Sequence, residues 1–162
     1  GRAGADSHLA LPRVDAGLGD LRARDFRPFR DLAGLPAAMT AHVVYEAIDP
    51  DGPATTSRRV VEDIIRGEIG FAGLLFTDDL SMKALSGPFR DRAEAAIAAG
   101  CDVALHCNGD LPEAAGVAEG APLLADAALR RAEAALAAIG EGDEFDPVDA
   151  RLALDAVFAA AA

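Results

Sequence analysis

Two adjacent carboxylates, Asp78 and Asp79, stand where an apolar run ends and are well placed to do chemistry. They lie in the segment GLLFTDDLSM, residues 73–82, in which Leu-Leu-Phe precedes Thr-Asp-Asp. An apolar run bounded by a glycine and a polar cluster predicts a buried parallel strand. Parallel α/β folds place their chemistry at the carboxyl ends of such strands. A carboxylate there can act as nucleophile, base or metal ligand; equally, one aspartate can simply cap a following helix.

The segments around these carboxylates alternate between predicted strands and amphipathic helices. Strands are predicted at residues 37–44, 74–77 and 102–107, and helices at residues 57–68, 88–99, 122–139 and from residue 146 onward. In the last helix, Val148, Leu152 and Phe158 are expected to face inward, and residues 141–144 indicate a short acidic linker. This alternation predicts a parallel α/β sheet, and the pattern alone does not separate a barrel from a doubly wound sheet.

Composition excludes several classes of function. The net charge is −12, which argues against nucleic acid and against an anionic membrane surface as partners. Hydrophobic residues make up 51% of the chain and charged residues 26%, ordinary values that permit a packed core. The sequence contains no run of about 18 apolar residues of the kind that spans a bilayer.

The two cysteines, Cys101 and Cys107, flank the last predicted strand. Six residues of strand would separate them by about 20 Å, whereas bridged Cα atoms lie within about 7 Å. Unpaired cysteines suit a reducing cytoplasm, which is the predicted location. Neither has a partner at a metal-ligand spacing, so no metal site is predicted and both are interpreted as small core residues.

Three sequence blocks resemble one known family. They are ADSHLALP at residues 5–12, AMTAHVVYEAIDP at residues 38–50 and GFAGLLFTDDLSMKAL at residues 70–85. In order and spacing they are similar to the C-terminal part of the bacterial β-N-acetylglucosaminidases (β-N-acetylhexosaminidases of the NagZ type) of glycoside hydrolase family 3. The 16-residue block around Asp78 is the most specific of the three, and the resemblance spans nearly the whole chain.

The resemblance implies that the chain is half of a barrel. A complete (β/α)8 TIM-type barrel needs about 250 residues, and this chain has 162. Residues 1–162 are therefore expected to form a single partial domain, with the catalytic loop, about three βα units and C-terminal helices. The missing N-terminal half-barrel, or a second copy of this chain, is the expected partner. Alone, the chain is expected to self-associate and to be nearly inactive.

The resemblance also assigns the catalytic residues. Asp78 matches the family nucleophile, and a carboxylate suits attack on an anomeric carbon. Asp79 is expected to support the loop, because adjacent strand residues point to opposite faces. His8 matches the acid/base and Asp6 its partner, and imidazole can donate a proton and later remove one near neutral pH. By likeness Met39 lines the sugar pocket, whereas His42 and His106 are interpreted as structural.

The function implied is that of a retaining exo-β-N-acetylglucosaminidase. It would release N-acetylglucosamine from anhydromuropeptide-type fragments of peptidoglycan, in cell-wall recycling, without a cofactor. Three alternatives remain open. The first is a phosphorylase, since a histidine acid/base would not repel an incoming phosphate. The second is a non-catalytic half-barrel that acts only as an assembly partner. The third uses the acetamido group of the substrate as nucleophile, with Asp78 only orienting it.

Overall fold

The computed structural model describes residues 2, 4–140, 142 and 146–160, so the predicted linker at 141–144 lies, apart from Gly142, outside the described residues. The strands are β1 (Arg13–Val14), β2 (Ala37–Met39), β3 (Val44–Tyr45) and β4 (Leu74–Phe76). The α-helices are α1 (Leu18–Asp20), α2 (Arg27–Asp31), α3 (Phe89–Ala99), α4 (Leu111–Gly120), α5 (Asp126–Ala137) and α6 (Pro147–Ala160). Wider π-helical turns cover Leu21–Asp25 and Arg59–Glu68, and a 3-10 helical turn covers Ala54–Thr56. None of the helices within these ranges is long and apolar enough to cross a membrane.

The sheet that carries the predicted carboxylates is parallel. Strand β2 pairs with β4 in the register Ala37 with Leu74 and Met39 with Phe76, and Phe76 forms a further parallel bridge with Val103. Three successive chain segments therefore run side by side in one direction, with helical segments between them. This confirms the predicted α/β class. The described residues form no closed barrel.

The strand predicted at 74–77 is shorter by one residue, and the other two predictions differ more from the structure. The strand predicted at 37–44 stops at Met39, because the chain turns tightly at Ala41, whose carbonyl accepts from the Val43 N–H at 2.9 Å. Val44 then joins a second small sheet as β3, parallel to β1. The segment predicted as a strand at 102–107 makes only the bridge at Val103. Beyond it, the Leu105 N–H donates to the side chain of Thr77 at 2.9 Å and not to a strand backbone.

The predicted helix at 57–68 packs one apolar stripe against β4. Val60, Val61 and Ile64 are buried. On its buried side, this helix packs against β4 and α3. The core cluster between them consists of Val61, Phe71, Leu75, Ala96, Ala99 and Cys101. Leu75 therefore faces the helices. Its neighbours in β4 face the other side of the sheet, because strand side chains alternate.

The predicted helix at 88–99 is confirmed as α3. It ends at Gly100, whose φ of 113° is a left-handed conformation that favours glycine. Helix α4 was not predicted, although Asp110 caps it by accepting from the Glu113 N–H at 3.0 Å. It packs closely on α3: a Cβ added at Gly120 would lie 2.2 Å from the carbonyl oxygen of Arg90.

An ion cluster anchors the start of β4. Asp102, whose side chain is 4% exposed, accepts from Arg66 at 2.8 Å and from Arg131 of α5 at 2.7 Å. It also accepts from the Leu75 backbone N–H at 2.9 Å. Burial is the main cause that lowers the pKa of Arg66. This cluster ties a π-helical turn, a strand and α5 together at the end of β4 opposite the two aspartates.

Two predictions about the core are wrong. Val148, Leu152 and Phe158 on α6 are 64%, 63% and 66% exposed, so they do not face inward within the described chain. Periodicity shows which side chains share a helix face, but it does not show what that face packs against. Cys107 is exposed, because the segment after Val103 leaves the sheet. Cys101 is buried as predicted, and burial raises the pKa of its thiol to about 12.

Candidate active site

Asp78 lies directly beyond the carboxyl end of β4 and is half-buried. Its backbone N–H donates to Thr40 Oγ1 at 3.3 Å, and its Oδ1 accepts from the Asp79 backbone N–H at 2.9 Å. Among the described residues, Oδ2 has no hydrogen-bond partner. One oxygen of this carboxylate is thus fixed by the backbone, and the other can approach a substrate atom.

Asp79 is engaged quite differently. Its Oδ1 accepts from the backbone N–H groups of Ser81 at 2.9 Å and Cys107 at 3.1 Å, and its Oδ2 accepts from the Ser81 hydroxyl at 2.6 Å. Burial alone would raise the pKa of Asp79, but these hydrogen bonds outweigh it and lower the pKa. Both of its oxygens therefore hold the loop in shape, which confirms the supporting role expected from the sequence.

His8 and Asp6 form a pair on an exposed loop. His8 Nδ1 lies 2.8 Å from Asp6 Oδ1, which also accepts from the His8 backbone N–H at 2.9 Å. The hydrogen bond with Asp6 raises the pKa of His8, and the His8 backbone hydrogen bond is the main cause that lowers the pKa of Asp6. With Nδ1 held by the carboxylate, Nε2 is the ring nitrogen that can face a substrate.

The structure brings this loop to the end of β4. The Ala84 backbone N–H donates to the carbonyl oxygen of Ser7 at 3.2 Å, which ties the loop to the segment that follows the aspartates. Asp78 and Asp79 are close enough for their negative charges to help raise the pKa of His8. Residues more than 70 positions apart in sequence are thus brought near one another, and their shared catalytic role stays a prediction.

Met39 lies at the carboxyl end of β2 and is 54% exposed. It pairs in register with Phe76, so both side chains lie on the sheet face opposite the helices. Asp78 follows Phe76 by two positions, and the strand period of two directs it to that same face. Met39 is therefore on the same side of the sheet as Asp78, and its contact with a sugar stays a prediction.

Three buried polar residues beside Asp78 were not predicted as part of the site. They are Thr40, His42 and Thr55, which are 6%, 0% and 0% exposed. His42 was interpreted as structural, and its ring does lie in the interior, yet its Nε2 contacts the carbonyl oxygen of Asp79 at 3.0 Å. The alternation of Thr40 and His42 at a strand end was the available signal. Within the described ranges, no group of three or more His, Cys, Asp or Glu side chains could hold a metal ion.

Comparison with known proteins gives a consistent family. Residues 1–134 match the family described as the glycosyl hydrolase family 3 N terminal domain. A β-hexosaminidase of Alkalilimnicola ehrlichii is 50% identical over 112 residues, which are 67% of this chain and 32% of that protein. A β-hexosaminidase of Pseudomonas aeruginosa is 50% identical over 111 residues, which are 67% of this chain and 33% of that protein. The chain thus spans about one third of the length of these curated relatives.

Solved structures agree with this match. A glycoside hydrolase family 3 β-N-acetylglucosaminidase from a Paenibacillus strain superimposes with a TM-score of 0.74 and 29% identity, covering 90% of this chain and 31% of that one. NagZ from Neisseria gonorrhoeae superimposes with a TM-score of 0.68 and 36% identity, covering 80% of this chain and 38% of that one. The matched family domain, the two relatives and the two structures lead to one conclusion: this chain belongs to glycoside hydrolase family 3.

Proposed function

We propose that this chain carries the catalytic residues of a retaining exo-β-N-acetylglucosaminidase. The observation that carries the proposal is that two groups lie near each other at the end of β4. One is the Asp78 carboxylate, whose Oδ2 has no hydrogen-bond partner among the described residues, and the other is the imidazole of His8, held by Asp6. A nucleophile and a proton donor on the two sides of a glycosidic bond are what a retaining mechanism requires. The relatives and structures described above, which are named for hexosaminidase activity, support the choice of sugar.

In the first step, Asp78 Oδ2 attacks the anomeric carbon while the glycosidic bond breaks. The imidazolium of His8 gives its Nε2 proton to the departing oxygen, which leaves as a hydroxyl of the aglycone. The Asp78 carboxylate first stabilises the positive charge that develops on the sugar ring and then forms the glycosyl ester. Asp6 favours this step because it raises the pKa of His8, so the imidazole is protonated over a wider pH range.

In the second step, neutral His8 removes a proton from water as the water oxygen attacks the anomeric carbon. The ester bond to Asp78 breaks, and N-acetylglucosamine leaves with its original β-configuration after two inversions. His8 ends the cycle protonated and Asp78 ends it as a carboxylate. Asp79, whose oxygens both accept hydrogen bonds from Ser81 or Cys107, takes no part in bond making.

We further propose that the parallel segments are consecutive strands of the C-terminal half of a (β/α)8 barrel. One edge of β2 pairs with β4, and an apolar groove of about 330 Å³ borders β2. Phe29, Leu32 and Met39 line that groove and are 61%, 54% and 54% exposed. A neighbouring strand and helix would cover Phe29 and Leu32. We therefore propose the N-terminal half-barrel, on the same or another chain, as the partner, and a second copy of this chain as the substitute when that half is absent.

This partner proposal has a direct test in solution. The chain alone is expected to self-associate through the groove, and Leu32→Asp should shift its sedimentation towards monomer. Leu123→Asp is a matched control, since Leu123 is 94% exposed and lies away from the groove. A wild-type chain that stays monomeric and hydrolyses substrate at ordinary rates would contradict the proposal.

The substrate proposed is a peptidoglycan fragment of the anhydromuropeptide type, and the location proposed is the cytoplasm. The first point rests on the resemblance of the sequence blocks to the NagZ type, and the Neisseria gonorrhoeae structure carries the same name. Two free cysteines, one of them exposed, support the second, because exposed thiols persist in reducing compartments.

The assignment of Asp78 has a decisive experiment in the assembled enzyme. Asp78→Asn keeps the shape of the side chain, so the fold should persist, but the glycosyl ester cannot form and turnover should fall by several orders of magnitude. A slow 5-fluoro glycoside should label Asp78 in the wild type. Label on Asp79 would refute the assignment, and absence of label with retained turnover would favour the acetamido mechanism.

The role of His8 is tested by comparing substrates. His8→Ala should slow substrates with poor leaving groups far more than activated aryl glycosides, which depart without protonation. Equal slowing of both would show that His8 is not the general acid. If addition of phosphate yields sugar 1-phosphate among the products, the enzyme is a phosphorylase and not a hydrolase.

A further inference from the structure

A buried chain of hydrogen bonds binds the backbone at both ends of the Asp78–Asp79 dipeptide, the Asp78 N–H and the Asp79 carbonyl. The Asp78 N–H donates to Thr40 Oγ1 at 3.3 Å, and Thr40 Oγ1 lies 2.9 Å from Thr55 Oγ1. Thr55 Oγ1 lies 2.8 Å from Nδ1 of His42, and Nε2 of His42 lies 3.0 Å from the Asp79 carbonyl oxygen. The path thus begins and ends on the backbone that carries Asp78.

The direction of every bond in this chain follows from chemistry. A carbonyl oxygen only accepts, so His42 Nε2 carries a proton and donates to Asp79. In a neutral imidazole Nδ1 is then an acceptor, so the Thr55 hydroxyl donates to it. The Thr55 oxygen accepts from the Thr40 hydroxyl, whose oxygen accepts from the Asp78 N–H. In an imidazolium, Nδ1 would also donate, so Thr55 would accept from it and donate to Thr40. The Thr40 hydroxyl would then find no acceptor among these groups.

We propose that His42 is a positioning residue, which sets the place of the Asp78 carboxylate through this chain. The inference rests on the proposed function, in which Asp78 is the nucleophile. The carboxylate is coupled to this backbone, because Asp78 Oδ1 accepts from the Asp79 N–H at 2.9 Å. His42 is fully buried, and among the described residues its ring reaches the two aspartates through the Asp79 carbonyl and, by way of Thr55 and Thr40, through the Asp78 N–H. Misplacement of reacting groups by about 1 Å can reduce rates about 100-fold.

Two substitutions separate positioning from simple packing. In His42→Gln the side-chain amide N–H can take the place of Nε2–H and still donate to the Asp79 carbonyl. In His42→Asn the shorter side chain keeps a partner for Thr55 but does not reach that carbonyl. In the assembled enzyme we expect His42→Asn to lower kcat about 100-fold with little change in KM, and His42→Gln to stay within about tenfold of wild type. The proposal would be overturned if both variants lowered kcat equally and in proportion to the loss of folded protein.

Nuclear magnetic resonance tests the same chain of bonds without any turnover. The sequence has three histidines, so ¹⁵N-labelled imidazoles are readily assigned in the chain itself. The neutral ring of His42 should carry its proton on Nε2, where the proton should exchange slowly with solvent. The amide signals of Asp78 and Asp79 should move further in His42→Asn than in His42→Gln. An Nδ1–H tautomer, or unmoved amides in His42→Asn, would overturn the proposal. If wild type hydrolyses no N-acetylglucosaminide, the proposed function fails while these spectra still decide the role of His42.

Discussion

Asp102→Ala should be strongly destabilising, because it removes the acceptor at the centre of the ion cluster at the start of β4. The wild-type carboxylate is 4% exposed and accepts from Arg66, from Arg131 and from the Leu75 N–H. Removing one partner of a buried ion pair costs about 3 to 5 kcal/mol, and a buried N–H left without an acceptor costs about 1 to 3 kcal/mol. Arg131 is 30% exposed and can turn towards water. The two costs overlap, so we expect a loss of about 4 kcal/mol in the free energy of unfolding.

Urea unfolding followed by circular dichroism measures this loss, since the chain has no tryptophan. Asp102→Asn keeps the shape and one acceptor oxygen, and should lose about half as much. Glu94→Ala is the matched control: it breaks an ion pair with Arg90 whose side chains are 59% and 49% exposed, and should cost about 0.5 kcal/mol or less.

A loss for Asp102→Ala within about 1 kcal/mol of the control would refute the reasoning. It would mean that Arg66 and the Leu75 N–H find water or other acceptors when the carboxylate is absent. The cluster would then not be what anchors β4, and with it Asp78, against α5.

Two further predictions concern the acid/base loop and the packing of α4. Asp6→Asn should lower the pKa of His8 towards its ordinary value of about 6.5, because the hydrogen bond that His8 donates to Asp6 is the main cause of its rise. Titration of His8 by nuclear magnetic resonance measures this change, and in the assembled enzyme the basic limb of activity should move to lower pH; an unmoved titration would contradict the pairing. Gly120→Ala should destabilise the chain by about 2 kcal/mol or more, because the added Cβ would lie 2.2 Å from the Arg90 carbonyl oxygen. Gly140→Ala, which meets nothing within 4 Å, is its control in the same unfolding measurement.

Local patterns predicted the elements whose signals are contained in a few neighbouring residues. The strand before Asp78 and the helices predicted at residues 57–68 and 88–99 all appear in the structure. The pairing of His8 with Asp6 is equally local, since two positions separate them. Helix α4 escaped prediction because its glycines weaken the helical pattern.

The sequence by itself determined the α/β class, the family and the position of Asp78 at a strand end. These depend on apolar periodicity and on blocks of consecutive residues, which a sequence shows directly. Only the tertiary structure decided that the Asp79 carboxylate accepts hydrogen bonds from Ser81 and Cys107. It alone also decided that His42 donates to the backbone carbonyl of Asp79. It also decided that Phe158 is exposed and that Val103 alone continues the sheet. The reason is physical. Hydrogen bonds and packing between distant segments depend on how those segments are arranged in space, and the spacing of residues along the chain does not show that arrangement.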